Sequence, residues 1–371
     1  MPPPVRSFSS DDAGAADLPR PVPGGLLARG AAGLFPGYFA FVMATGALSV
    51  AAHLLALSWL AWALLVTGSI GYLLLWWLTL VRIFRFPAQL VADLHDHTRG
   101  PGFFTLIAGT SILGSQYLLI ADSVLTARLL WILAVALWIV VTYWFLTAVT
   151  VREAKPSIGK GINGAWLLVS VATHSIAILT VLLPWSAEAL PAARFFALCM
   201  FLVGCMLYLA IIPLIFYRLT FVRLPMASLT PPYWINMGAV AIATLAGSTL
   251  ILYASPGALV YGFLPFLKGF TLFYWAAATW WIPLLVGLTV WRHAVARYPL
   301  DYSPQLWGMV FPLAMYTTGT SRLAEALSLP LLEAIAWPFM VLALTAWAGT
   351  AAAMLLHVTR ALQAGRAGRG P

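Results

Sequence analysis

Ten apolar stretches follow one another through almost the whole chain, near 35–56, 59–81, 101–121, 127–151, 162–183, 193–217, 232–254, 266–291, 304–326 and 330–357. A helix of roughly 20 residues crosses about 30 Å of hydrocarbon, so each stretch is long enough to span a bilayer. In that solvent a backbone must satisfy its own N–H and C=O groups, which leaves helices and closed barrels as spanning structures. Barrel strands alternate apolar and polar residues over short segments, and these stretches do not. The expected fold is therefore all-α integral membrane, with ten transmembrane helices in five hairpins. Hydrophobic residues at 62% and charged residues at 8% agree with this, since a soluble domain carries far more charge.

The charges between the stretches set the orientation, because Lys and Arg stay on the cytoplasmic side. With the N-terminus inside, sixteen of the twenty basic residues fall there, and only Arg128, Arg194, Lys268 and Arg322 fall outside. Both termini are expected to be cytoplasmic, in a multi-pass protein of the cell (plasma or inner) membrane. The net charge of +9 then follows from topology, and no nucleic-acid motif accompanies it. Residues 1–33 lack a periodic apolar pattern and read as a disordered cytoplasmic tail. Residues 34–357 form the membrane domain, and 358–371 a basic cytoplasmic tail. The first apolar run begins far from Met1 and is long enough to stay in the membrane, unlike a cleavable signal peptide. Cys199 and Cys205 lie six apart on one predicted helix and face different ways, which argues against a disulfide or a metal pair.

An internal repeat carries the most information. The odd-numbered helices begin alike, with Phe35-Pro36-Gly37-Tyr38-Phe39, Gly100-Pro101-Gly102-Phe103-Phe104, Gly161-Ile162-Asn163-Gly164-Ala165-Trp166, Pro231-Pro232-Tyr233-Trp234 and Pro304-Gln305-Leu306-Trp307. A proline fits the first helical turn, where its missing N–H costs nothing. Further along, each carries a small, hydroxyl-bearing patch: Thr45-Gly46, Thr110-Ser111, Thr173-His174-Ser175, Thr244 to Ser248, and Thr317-Thr318-Gly319-Thr320. Even helices are bulkier, as at Leu73-Leu74-Leu75-Trp76-Trp77. Five quasi-symmetric hairpins with these two kinds of member suggest two concentric rings, the odd helices around a central pore and the even helices shielding it. Two roles fit the patches. Hydroxyls, backbone and apolar rings with few fixed charges suit weakly held ions that must also leave, and small residues also let membrane helices pack closely. On the first reading Thr45, Gly46, Thr110, Ser111, Thr173, His174, Thr244 and Thr318 line the pore.

Four separated motifs bear on family: Pro36-Gly37-Tyr38-Phe39-Ala40-Phe41-Val42-Met43-Ala44-Thr45-Gly46, Arg99-Gly100-Pro101-Gly102-Phe103-Phe104-Thr105, Pro231-Pro232-Tyr233-Trp234-Ile235-Asn236-Met237-Gly238-Ala239 and Trp307-Gly308-Met309-Val310-Phe311-Pro312-Leu313. Over about 34–357 the chain resembles the tellurite-resistance/C4-dicarboxylate transporter family, with its TehA-type channels, plant slow anion channels, and fungal malate permeases and sulfite exporters. The resemblance implies a ten-helix fold of five hairpins, usually a homotrimer with a pore in each subunit, carrying small inorganic or dicarboxylate anions. It also implies that a phenylalanine before a proline, midway along the ninth helix, plugs the pore. Here that is Phe311, followed by Pro312. An ordinary core aromatic is the alternative role for Phe311.

Polar residues at membrane depth are costly and therefore functional candidates. His174 suits proton coupling or a neutral hydrogen bond to a neighbouring helix. Gln116 and Asn236 suit an anion or an interhelical bond. Arg322 and Glu325, three apart near the outer end of the ninth helix, suit a structural pair or an outer vestibule whose potential gathers anions. Asp93-Leu94-His95-Asp96-His97 contains metal-ligand types but no wider scaffold, so a solvated loop is expected and no metal. No phosphate cradle is present and no cofactor is implied. Catalysis needs a converging set, and His174 and the His95/His97 loop lie at different depths, so an enzyme is not expected. The function expected is transport of small anions of the malate, sulfite, nitrate or chloride class, driven by their gradient, the membrane potential or protons. A non-transporting scaffold or sensor is the alternative.

Overall fold

The computed structural model describes residues 30–367, with side chains to 363. Most of the segment assigned to an N-terminal tail, 1–29, lies outside the described residues, as do 368–371. Residues 30–32 form a helical turn, with Ala31 buried. The long helices are α1 (Ala40–Leu54), α2 (Ser58–Arg85), α3 (Phe104–Leu119), α4 (Val124–Val151), α5 (Leu168–Leu182), α6 (Leu190–Phe221), α7 (Ile235–Leu252), α8 (Leu264–Val290), α9 (Trp307–Leu327) and α10 (Glu333–Ala367). Among the described residues there is no strand. Nine of these helices, α1, α3, α5 and α7 being counted with the short turns that lead into them, are long and apolar enough to cross a membrane. The exception is α9, whose second half carries Thr317, Thr318, Thr320, Arg322 and Glu325. α10 runs past the expected edge of the membrane region at 357.

The odd helices close a ring: α1 packs on α3, α3 on α5, α5 on α7, α7 on α9, and α9 back on α1. Each also packs on the even helix after it and on the even helix before it, α10 serving as the latter for α1. The even helices therefore form an outer ring staggered over the seams of the inner one. Burial follows this order, with 78–89% of the spanning windows buried in α1, α3, α5 and α7 against 17–39% in the even helices. Trp59, Leu73, Leu129 and Leu342 on the outer ring face outward, as apolar surface that lipid covers.

Each inner helix is entered through a short 3-10 turn, at Pro36–Phe39, Gly100–Phe103, Gly164–Leu167, Pro231–Trp234 and Pro304–Leu306. Four begin with proline at the first or second position. The third has none, and Asn163 takes over by accepting a hydrogen bond from the Ala165 N–H at 2.8 Å. These turns close a second ring at one end of the bundle, which we call the start face. Close approach there requires glycine: a Cβ on Gly164 would lie 2.2 Å from the Pro232 carbonyl oxygen, a backbone atom that cannot rotate away. Gly164→Ala is expected to cost roughly 1–3 kcal/mol, the usual range for overpacking, read as a lower melting temperature in detergent.

Candidate functional site

Two cavities lie on the axis of the inner ring, and each is lined by residues from all five of its segments. The start-face cavity, ≈ 40 Å³, is walled by Ala40 and Met43, by Thr105, by Leu168, by Ile235, and by Gly308 and Phe311. The far cavity, ≈ 30 Å³, is walled by Val50 and Leu54, by Ile112 and Ser115, by Ser175 and Ile178, by Ile242 and Thr249, and by Met315, Thr318 and Arg322. Residues three or four apart share one face of a helix. Between the two sets on α1, α3, α5 and α7, that face is occupied by Ala47, Ala108, Ala172 and Ala239, all fully buried. On α9 no residue intervenes: Phe311, 1% exposed, lines the start-face cavity together with Met43, and Met315 one turn on lines the far one. Phe311 thus stands at the inner end of the start-face cavity, and on the other four helices only buried alanines separate that cavity from the far one. Volumes of 30–40 Å³ hold a water or two, and the conformation is closed to any organic anion.

Pro312 fixes the backbone of this plug. It has no N–H to offer the Gly308 carbonyl one turn earlier, and its ring packs on α7, where a Cβ on Gly238 would come within 2.7 Å of Pro312 Cγ. α7 and α9 meet closely again one level on, since a Cβ on Gly319 would lie 2.8 Å from the Ala241 carbonyl oxygen.

Most of the threonines in the small patches point elsewhere. Thr45 Oγ1 accepts from Trp347 Nε1 of α10 at 2.9 Å, and Thr173 Oγ1 from Trp138 Nε1 of α4 at 2.9 Å. Thr110 Oγ1 shares a hydrogen bond of 2.9 Å with the Tyr72 hydroxyl of α2, and Thr320 Oγ1 accepts from Trp275 Nε1 of α8 at 3.0 Å. In each case the partner belongs to the preceding outer helix, so these hydroxyls peg the outer ring to the inner one. This differs from the pore-lining role that the sequence suggested for Thr45, Thr110 and Thr173. The physical reason is that an indole N–H inside a bilayer has no water to donate to and takes the nearest hydroxyl. Thr173→Val should strand the Trp138 N–H and cost about 0.6–1.7 kcal/mol, the range measured for interhelical bonds in membranes. Anion selectivity should be unchanged, and a purified-protein melt with a flux assay reads both.

The remaining candidates divide. Thr318 lines the far cavity, with its hydroxyl donating to the Ala314 carbonyl at 2.9 Å. Thr244 donates to the Val240 carbonyl within its own helix. Gly46 is a contact between α1 and α3, where a Cβ would meet Ile112 and Gln116. Ser111 is buried, and its hydroxyl has no partner. His174 is buried at the α5–α6 interface, with Nδ1 donating to the Ser170 carbonyl at 2.9 Å and Nε2 3.5 Å from Cys205 Sγ. Its neighbour Ser175, and not His174, lines the far cavity. Cys199 and Cys205 are both free thiols. The side-chain amides of Gln116 and Asn236 are buried without a protein partner. Asp93 and Asp96 are both engaged, Asp93 by Arg82 and Arg99 and Asp96 by Thr98 and the Arg99 N–H. Among the described residues no group of three His, Cys, Asp or Glu is placed to hold a metal.

The family model for the voltage-dependent anion channel matches residues 34–355. The chain belongs to that family. Two uncharacterized transporters of Methanocaldococcus jannaschii are similar to it, one 22% identical over 76% of this chain and 82% of its own length, the other 23% identical over 90% and 95%. An uncharacterized membrane protein of Mycobacterium tuberculosis is 43% identical over 44% of this chain and 81% of its own length. Membership of the voltage-dependent anion channel family makes transmembrane anion transport the activity of this chain.

Charged side chains flank both ends of the inner ring. At the far face Arg322 reaches the cavity wall and pairs with Glu325 at 2.6 Å. At the start face lies a set of arginines that the sequence marked only as topology signals. Arg82, Arg152, Arg218 and Arg292, at or just beyond the ends of α2, α4, α6 and α8, donate to the carbonyls of Leu34, His95, Ile162 and Leu229. The carbonyls of Leu34, Ile162 and Leu229 lie two residues ahead of an entry turn, and that of His95 five ahead. Arg218 is buried, with the Tyr233 hydroxyl as its other partner at 2.7 Å. Of the four, only Arg82 has a carboxylate partner, Asp93, among the described residues. The recurrence was legible as one basic residue near the end of each even stretch, once the repeat had been aligned.

Proposed function

We propose that small anions cross the membrane along the axis of the inner ring, and that Phe311 closes this path between the two cavities. The observation that carries the reading is the pair of coaxial cavities, each walled by all five inner segments and parted at the level of Phe311. A single apolar ring in a constriction closes it by sterics and by dewetting. The wall is apolar or hydroxylic, and the fixed charges at its mouths are largely basic, which favours anions over cations by potential alone. The orientation that follows from the basic loops puts the start face in the cytoplasm, with α9 as the tenth span. The family resemblance supports chloride, nitrate, sulfite and C4-dicarboxylates as the substrates to compare, and a homotrimer as the assembly.

The test is flux in proteoliposomes, for each of these anions and for potassium, with and without a pH gradient. Anion flux without potassium flux is the expected result. Potassium flux with no anion movement would sink the reading. Acceleration by a proton gradient would identify a coupled carrier.

A further inference from the structure

The largest cavity described is not on the pathway. It measures ≈ 510 Å³, against ≈ 30 and ≈ 40 Å³ for the axial pair, and lies at the start face where α8 ends beside the entries to α7 and α9. That volume falls within the range of cavities that enclose a ligand. Its two ends differ in chemistry. Leu285, Leu288 and Met309 provide an apolar wall continuous with the membrane-spanning part of α8 and α9. Arg292, with His293 beside it, provides a polar end with one fixed cation beyond the last apolar turn. The helix widens there into a π-turn, Trp291–Val295, a distortion that recurs at functional sites.

The cationic end is preorganised and incompletely satisfied. Arg292 lies over the Tyr298 ring, 4.3 Å from its centroid, and bonds the Leu229 carbonyl, while its buried Nε–H has no partner. His293 Nδ1 donates to the Tyr298 carbonyl at 2.9 Å, which ties the π-turn to the loop after it. Asp301 is the acidic residue in the lining, and it stands exposed at the rim, where solvent screens it.

We propose that this cavity binds one anionic phospholipid, with its phosphate on Arg292 and an acyl chain along Leu285, Leu288 and Met309. A soluble anion has no use for the apolar wall, and a zwitterionic lipid gains less from an unneutralised guanidinium. Basic pockets between membrane helices are the sites at which anionic headgroups are read. Thr230 and Gln305 line both this cavity and the start-face cavity, so the bound headgroup stands one residue layer from the pathway.

The experiment is native mass spectrometry of the delipidated full chain titrated with phosphatidylglycerol, phosphatidylcholine or glycerol 3-phosphate. The wild type should hold phosphatidylglycerol on the order of tenfold more tightly than phosphatidylcholine, as one charge-assisted hydrogen bond provides. Arg292→Ala should abolish the preference. Because Arg292 also holds the Leu229 carbonyl, Leu288→Trp serves as a second variant that fills the apolar end and leaves the charges in place; it should lose the lipid altogether. Equal binding of the two lipids by the wild type, or undiminished binding by Leu288→Trp, overturns the proposal. Displacement of phosphatidylglycerol by an equal concentration of glycerol 3-phosphate overturns it in favour of a soluble phosphate site. The readout is lipid binding alone, so its failure is separate from failure of the pore.

Discussion

Phe311→Ala is expected to raise anion flux by an order of magnitude or more. A barrier lowered by only about 1.4 kcal/mol already gives a factor of ten, and here the ring is the bulkiest side chain at the inner end of its cavity. Between the two cavities α1, α3, α5 and α7 present only Ala47, Ala108, Ala172 and Ala239, and Met43, which lines the same cavity as Phe311, has an unbranched chain that fills less of the constriction than a ring. Truncating a phenylalanine in a closed core costs roughly 3–5 kcal/mol, because a dry void remains. The void here joins the two axial cavities and can fill with water, so the loss of stability should fall below that range. Flux in proteoliposomes and a detergent melt on the same preparations read the two effects. Restoring bulk from the opposite side, with Ala239→Leu on the Phe311→Ala background, should bring the flux back down. A folded Phe311→Ala protein with wild-type flux removes the plug assignment.

What could be read in the sequence was whatever a residue type announces without its neighbours. Membrane character, five hairpins and the division into an inner and an outer ring follow from apolar length and from the repeated proline- and glycine-led entries, and the closed ring of odd helices agrees with that reading. Of the threonines in the patches, Thr318 lines the far cavity, whereas Thr45, Thr110, Thr173 and Thr320 turn their hydroxyls to the outer helices. Seven-residue spacing from Tyr38 to Thr45 or from Trp166 to Thr173 puts both members on one face of the helix, but cannot say which face that is. The outer helices held the missing signal, in Tyr72, Trp138, Trp275 and Trp347, each an interior donor that needs an acceptor. The alanines between the two cavities were invisible for a different reason, since a buried alanine in a membrane helix looks the same whether it faces a neighbour or an axis. Another repeat is hidden by its chemistry. Four of the hairpin turns at the far face place a residue in the left-handed region, but the residues are Ala56, Asp122, Gly257 and Ser328. Only glycine and, more weakly, aspartate favour that conformation, so the shared geometry leaves no shared letter.

Asp93→Ala is expected to be the most destabilising substitution of a charged residue, at about 3–5 kcal/mol. Asp93 accepts from Arg82 Nη2 at 2.6 Å and from Arg99 Nε and Nη2 at 2.6 and 3.1 Å. Arg82 in turn holds the Leu34 carbonyl at 2.7 Å, and Arg99 directly precedes the entry turn of α3. One carboxylate therefore fastens the end of α2 to the starts of α1 and α3. The Arg82 side chain is 3% exposed, and removing its partner leaves an uncompensated buried charge, the situation in which breaking an ion pair costs most. The Arg322–Glu325 pair is equally short, but the Glu325 side chain is 55% exposed. Exposed pairs contribute about 0–1 kcal/mol, so Glu325→Ala should barely move the melt. Arg82→Leu combined with Asp93→Ala removes the stranded charge as well as its partner, and should recover part of the loss because residues in one network are not additive. Melting of the four proteins in the same detergent decides the point: if Asp93→Ala costs no more than Glu325→Ala, the start face is not held by this carboxylate and the entry turns are positioned by helix packing alone.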